Sequence, residues 1–287
     1  MKILLIGSTG WIGRTFAHFA DKSGIELEHI QRSEFWLGSE LSYRSEKVDA
    51  VVNCAGVAGK PNVDRLQDKD MREVVIKGNI SIPSRIALKS IAPILHVSSG
   101  CIYQGKRGTG ELREAGEFNG KHYKESWNEE DEPNFTGSTY SWSKKLGEQA
   151  LAGRDDAWIY RPRMFFTNYM HKKSFITKLL SYPVAVDAIN SITNLEEFCQ
   201  SMCKCLLLKI PFGSYNITHK QPVLTSEILK ELGHEAEYVS CSSFNNDMKE
   251  KGLAERSFTC LDNSKSKKAK VALSDNPMDI IKTYEAQ

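Results

Sequence analysis

The sequence predicts an α/β protein: a doubly wound parallel sheet with helices on both faces and a smaller C-terminal lobe. Short apolar runs alternate with helical stretches, a glycine-spaced turn directly follows the first run, and the rhythm changes after Arg161. The runs cover residues 3–6, 25–30, 48–52, 94–97 and 158–160, and their nearly unbroken apolar character suits strands buried on both faces. A helical stretch over 11–22 follows the first. Residues 71–90 have helical spacing at Val74, Val75 and Ile80, with Pro83 expected to kink or break the helix. Further on, 195–208 reads as a helix, 215–217 as a short strand, and 226–232 as a helix with Thr225 as N-cap and Gly233 as terminator. Residues 104–134, rich in Gly, Glu, Lys and Asn without a steady period, read as a flap over a site, since a loop of that length inside a compact domain usually serves one.

Composition narrows the function. The 38 basic and 36 acidic residues leave a net charge of +2, no field for gripping a polyanion, so a nucleic-acid partner is not expected. Lys265, Lys267, Lys268 and Lys270 form the one dense basic run and read as a solvated surface segment. Seven cysteines are an odd number, and the spacing of Cys203 and Cys205 suits neither a disulfide framework nor a four-ligand metal site, so a reducing compartment and no metal are expected. The chain opens on a strand without a charged leader, and no apolar run approaches membrane-spanning length. A soluble, cytoplasmic protein without membrane contact is the expectation.

The turn after the first run is Gly7-Ser8-Thr9-Gly10-Trp11-Ile12-Gly13. Glycine allows the sharp turn, brings main-chain N–H groups close to a pyrophosphate and lets helix pack on strand, while the helix N-terminus adds a favourable dipole. Its place at the head of a βαβ unit predicts a Rossmann-type dinucleotide site using Gly7, Thr9, Gly10, Trp11, Ile12 and Gly13. The domain would span 1–165, with a substrate lobe over 166–287 interleaved with it. At the end of the second run, where NAD enzymes place an acid, stands Gln31-Arg32-Ser33. Arg32 can pair with a 2′-phosphate, which points to NADP(H); the alternative is a surface arginine with Glu34 supplying the acid.

Tyr140 and Lys144 are four residues apart at the start of a helical stretch running to 151, so they share a face. A phenol with a reference pKa of about 10 becomes a usable proton donor when an ammonium lowers that value. Upstream, His96-Val97-Ser98-Ser99 closes a strand at its carboxyl end, where open parallel sheets bind ligands. Ser99 either hydrogen-bonds a substrate carbonyl or simply caps the strand.

With Asn53-Cys54-Ala55-Gly56, these residues resemble the extended short-chain dehydrogenase/reductase family. More closely, the chain is similar to the bifunctional nucleotide-rhamnose synthases, UDP-4-keto-6-deoxyglucose 3,5-epimerase/4-reductases related to the dTDP-4-dehydrorhamnose reductases. The similarity runs through residues 10–13, 55–64, 100–102, 129–138 and 175–178 and thins beyond 200. It implies an NADP(H) enzyme acting on a nucleotide sugar, with Asn53, Cys54, Ala55 and Gly56 beside the cofactor and a homodimer as the family's habit. The resemblance assigns reduction to Tyr140, Lys144 and Ser99, and epimerisation to Cys101 and Lys178. Cys101 lies two residues past Ser99, on the same face if the strand continues. Asn62, Arg163 and Arg256 become candidates for substrate contact. A longer loop after Cys101 and Lys60 in place of the usual arginine depart from the pattern. Uridine against thymidine stays open. So do two other readings, a reductase without epimerase activity and a dinucleotide-binding regulatory subunit without turnover.

Overall fold

A computed structural model of the chain describes residues 1–114 and 125–285. Six strands form one parallel sheet: β1 (Lys2–Ile6), β2 (Glu26–His29), β3 (Ala50–Asn53), β4 (Ile94–Val97), β5 (Ala157–Arg161) and β6 (Gly213–Asn216), in the spatial order β6-β5-β4-β3-β1-β2. The α/β doubly wound fold expected from the alternating runs is the fold observed. Strand order reverses at β1, and that is where such sheets open a crevice at their carboxyl ends.

Alternation along each strand divides the core in two. Ile3 and Leu5, Ala50 and Val52, Leu95 and Val97, and Trp158 and Tyr160 face one layer with Phe198 and Met202 of the Leu195–Leu208 helix and Phe16 of α1 (Trp11–Lys22). Leu4, Ile6, Val51 and Ile94 face the other, with Phe35, Leu41 and Ile86. Both layers are sealed, since Ile3, Leu4 and Leu5 have no exposed surface. Each such side chain contributes about 1.5–3 kcal/mol by leaving water.

Three readings need correction. The strand expected over 215–217 is β6, paired in parallel with β5, so it extends the main sheet instead of lying in the later lobe. Pro83 does not break its helix. The 72–89 stretch runs through an Arg72–Val75 segment, a π-turn over Ile76–Ser81 and an Ile82–Lys89 segment. Proline has no N–H for the carbonyl four residues back, and the wider π-turn takes up that mismatch locally. The later helix starts at Thr225 itself, with Leu224 as cap residue: the Glu227 carboxylate accepts from the Leu224 N–H at 3.3 Å and Asp187 accepts from the Ser226 N–H at 3.0 Å, so carboxylates do the work expected of a threonine hydroxyl.

A separate buried cluster, with Phe166, Ile176, Leu179, Ile192, Val223, Ile228 and Leu229 fully or nearly buried, lies apart from the two layers of the sheet. The flap expected over 104–134 lies in part, at 115–124, outside the described residues. Its described flanks are stitched to the 258–261 segment, where the Gly105 N–H donates to Phe258 O at 2.9 Å and the Trp127 N–H to Cys260 O at 3.0 Å. Among the described residues no helix is long and apolar enough to cross a membrane, and all seven cysteines are unpaired.

The Thr139–Gln149 helix crosses the π-turn at Gly147, where a Cβ would stand 2.3 Å from Asn79 O. A backbone atom cannot give way as a side chain can. Gly147→Ala is therefore expected to lose about 1–3 kcal/mol by overpacking, more than the roughly 0.5–1 kcal/mol that alanine gains over glycine in a helix. Urea unfolding of the variant checks this, and equal or greater stability would show that the two helices separate freely.

Candidate active site

The first part of the site is the turn leaving β1. Gly7 has φ +84°, and a Cβ there would lie 2.5 Å from Ala55 N; a Cβ on Gly13 would lie 2.2 Å from Gly7 O. The glycines thus let β1, the loop after β3 and the head of α1 touch. The cap position of α1, Gly10, offers no side-chain acceptor, and the first turn holds no acid. Its N–H groups are left for an outside anion, and the arrangement fits a dinucleotide's pyrophosphate. Trp11 stacks on His171 at 4.4 Å between ring centroids and 10° between planes, closing this entrance from the second lobe.

Arg32 is exposed and opens a short helix, Arg32–Phe35, just beyond β2; among the described residues it forms no ion pair. Glu34, the competing acid, is engaged twice: its carboxylate accepts from the Gln31 N–H at 3.0 Å and from Arg44 Nη2 at 3.3 Å. A carboxylate so held is a poor partner for ribose hydroxyls, which favours the arginine.

The loop leaving β3 is tied down by two asparagines. Asn53 accepts from the Ala55 N–H at 3.0 Å and lies 2.9 Å from His96 Nδ1. Asn79 accepts from the Val57 N–H at 2.7 Å and donates to Val57 O and Ser143 Oγ, each at 2.9 Å. Asn79 thereby joins this loop to the Tyr140 helix, a positioning part that the sequence reading missed. The available signal was Asn79 four residues before Pro83, where the helix must loosen and free its polar groups.

Ser138 caps the Tyr140 helix by accepting from the Ser141 N–H at 3.1 Å. One turn in, Lys144 is 5% exposed and its Nζ donates to Val97 O at 2.8 Å, on the last residue of β4. Gly56 passes close by, a Cβ there standing 3.7 Å from that ammonium. The Tyr140 helix packs against the Gly100–Ile102 turn; burial and the neighbouring Cys101 thiol push the phenol above its ordinary value, and a side-chain hydrogen bond with Ser99 acts the other way. The lowering expected from Lys144 is not found. The ammonium is spent on Val97 O, and burial holds Lys144 itself down to about 8, against the opposing pull of Glu148 and Cys54.

Ser99 and Cys101 come together differently from the extended-strand expectation. Ser99 is the cap of a single 3-10 turn, Gly100–Ile102, and its Oγ accepts from the Cys101 N–H at 3.1 Å. Lys178, on the Phe175–Leu179 helix, is half-buried, and burial and the Arg256 charge both lower its pKa. The three substrate-contact candidates are all engaged within the protein. Asn62 Oδ1 accepts from the Asp64 N–H at 3.0 Å, Arg256 pairs with Asp64 at 2.8 Å, and Arg163 is 1% exposed. The Arg163 guanidinium is turned to Ser257, Asn190 and the Cys101 sulfur. Among the described residues no cluster of His, Cys, Asp or Glu is arranged to hold a metal.

Comparison with known proteins gives the family and the fold. A family model of the RmlD substrate binding domain matches residues 1–192. The trifunctional UDP-glucose 4,6-dehydratase/UDP-4-keto-6-deoxy-D-glucose 3,5-epimerase/UDP-4-keto-L-rhamnose-reductase of Arabidopsis thaliana is 30% identical over 240 residues, 80% of this chain but 33% of that protein, so the chain spans about a third of its length. The bifunctional dTDP-4-dehydrorhamnose 3,5-epimerase/dTDP-4-dehydrorhamnose reductase of the same plant is 29% identical over 233 residues, covering 80% of this chain and 73% of that one. Among solved structures, the L780 UDP-rhamnose synthase of Acanthamoeba polyphaga mimivirus matches with a TM-score of 0.83 at 24% identity over 99% of each chain. A dTDP-4-dehydrorhamnose reductase of Bacillus anthracis in complex with NADP matches with a TM-score of 0.73 at 14% identity, over 99% of this chain and 96% of that one. At these identities the structures speak to the fold.

Keeping Lys144 charged while buried has a cost that a pH series can read. Its folded value near 8 lies below the ordinary 10.5, so its charge opposes folding fully below about pH 8 and progressively less as pH rises toward 10.5. The stability difference between wild type and Lys144→Met is expected to shift in favour of wild type between pH 7 and pH 10. Paired urea melts measure this, and a difference independent of pH would mean that Lys144 is not held down.

Proposed function

The chain belongs to the RmlD substrate-binding-domain family, and from that premise we propose that it completes a nucleotide-linked L-rhamnose, epimerising a 4-keto-6-deoxyglucose nucleotide at C3 and C5 and reducing C4 with NADPH. The observation that carries this reading is the packing of the Tyr140 helix on the Gly100–Ile102 turn at the carboxyl end of β4, with Ser99 Oγ accepting from the Cys101 N–H. A plain reductase needs Tyr140 and Ser99; the half-exposed thiol beside them adds a group able to take a proton from carbon.

The glycine cradle at Gly7 and Gly13, the uncapped head of α1 and the unpaired Arg32 fit NADP(H), with residues 53–56 beside it. When bound, the reduced cofactor would supply hydride for C4. Tyr140 protonates the oxygen that receives this charge, Ser99 hydrogen-bonds the same oxygen, and Lys144 keeps a positive charge close behind them. The 4-keto group acidifies the hydrogens at C3 and C5, so a base on one side of the ring and an acid on the other invert each centre. Cys101 and Lys178 take those roles in this reading, helped by the lowered Lys178 pKa.

Tyr140→Phe is expected to abolish NADPH oxidation while leaving the fold and cofactor affinity intact, since it deletes one donor from a preformed pocket. Absorbance at the NADPH band with the UDP- and dTDP-linked 4-keto sugars side by side tests the assignment and identifies the nucleotide. Near wild-type turnover by the variant would move the active site elsewhere, and no turnover by the wild type with either sugar would favour a binding subunit.

Arg32→Ala is expected to weaken NADPH up to tenfold, about 1.4 kcal/mol, and to leave NADH binding nearly unchanged. Equal losses for both cofactors would show that Arg32 does not read the 2′-phosphate.

A further inference from the structure

Two arginines one residue apart leave β5 and meet opposite fates. Arg161 is buried against Glu148, its Nη2 2.7 Å from the carboxylate. Arg163 is buried more completely, yet among the described residues it faces no carboxylate. Its Nη1 donates to Ser257 Oγ at 2.7 Å and Gly100 O at 3.4 Å, and reaches Cys101 Sγ at 3.8 Å. Its Nη2 donates to Asn190 Oδ1 at 2.6 Å and Ser257 O at 3.0 Å, with Met164 Sδ at 3.8 Å. Nε has no partner. A buried charge without a counter-charge typically costs several kcal/mol, and such a cost usually marks a function.

The backbone is shaped to bring this guanidinium to one sulfur. The Ser98 N–H donates to Tyr160 O and the Gly100 N–H to Pro162 O, both at 2.8 Å, which lays 98–100 alongside 160–162. Gly100 lets the arginine pass: a Cβ there would stand 2.7 Å from Arg163 Cγ. Cys260, the second thiol near Arg163, is buried and pushed up to about 11, so it stays protonated. Cys101 is the thiol that is both half-exposed and within reach.

We propose that Arg163 is a positioning residue for Cys101, holding its sulfur toward the substrate and supplying the positive charge that accompanies that sulfur whenever it gives up its proton. The inference rests on the epimerase reading above. In that step the sulfur takes a proton from the carbon next to the 4-keto group; the C–H bond breaks, an S–H bond forms, and the electron pair passes into the enolate. An acid on the opposite face then returns a proton to carbon and the C=O is restored. Negative charge moves from sulfur to the enolate oxygen, and a fixed cation beside the sulfur stabilises the starting state that makes the transfer possible.

Asn190→Asp tests this with the arginine left in place. The new carboxylate keeps the acceptor 2.6 Å from Nη2 and neutralises the guanidinium. Iodoacetamide labelling of Cys101 at pH 7.5, read by mass spectrometry of its peptide, is expected to slow at least threefold. Deuterium exchange at C3 and C5 of the 4-keto-glucose nucleotide is expected to slow at least tenfold relative to NADPH oxidation of the pre-epimerised sugar. Arg163→Gln should match it, and Arg163→Lys should recover at least half of the labelling rate. Labelling and exchange at wild-type rates in Asn190→Asp and Arg163→Gln would overturn the proposal, as would equal losses in the Lys and Gln variants. Cys101→Ser separates the two levels of inference. If it exchanges deuterium as wild type does, the epimerase reading fails first; if it does not, the Arg163 results stand on their own.

Discussion

Where β4 ends, the ammonium of Lys144 sits 2.8 Å from Val97 O, inside the protein and one helical turn past Tyr140. That contact pins the Tyr140 helix to the carboxyl end of β4, beside the turn that carries Ser99 and Cys101. Ser138 starts the helix, Gly147 lets it approach the π-turn, and Asn79 fastens the same helix to the loop after β3. Remove the ammonium and Val97 O loses its partner as well as the phenol its neighbouring charge. Burial keeps the lysine near neutrality in its acid–base behaviour, a setting suited to a group that must respond when a ligand arrives.

The parallel sheet supplies the rest of the geometry. Register pairs Ile6 with Asn53, Asn53 with His96 and Val97 with Tyr160, so the loops leaving β1, β3, β4 and β5 emerge on one edge. Glycines at 7, 13 and 100 sit where two backbones, or a backbone and an arginine stem, come closer than a Cβ permits. The crevice is thus built by close approach, and the chemical groups are delivered to it by strand ends and short turns.

Charge is treated in two ways inside this frame. Arg161 and Glu148 neutralise each other, and their Arg161 Nη1 contact with Tyr103 at 2.9 Å braces the base of the 104–134 segment. Arg163 is surrounded by neutral acceptors and a sulfur. The first pattern builds structure; the second leaves a field directed at the pocket.

The sequence by itself determined the sheet, the glycine turn, the tyrosine and lysine on one helix face and the cysteine beside Ser99, because local periodicity and fixed spacing are enough to place groups within one element or one turn. It also singled out Arg163 and Arg256 as candidates for substrate contact without showing what they touch. Tertiary structure decided the rest. β6 joins the main sheet because its partner β5 lies more than fifty residues earlier; Glu34 is taken by Arg44, and Arg256 by Asp64, through contacts between distant segments. Tyr140 is raised instead of lowered because burial, a property of the whole packed pocket, and the Cys101 thiol outweigh the Ser99 hydrogen bond, while the Lys144 ammonium is turned to Val97. Desolvation and long-range pairing depend on which surfaces meet, and no local pattern in the chain records that.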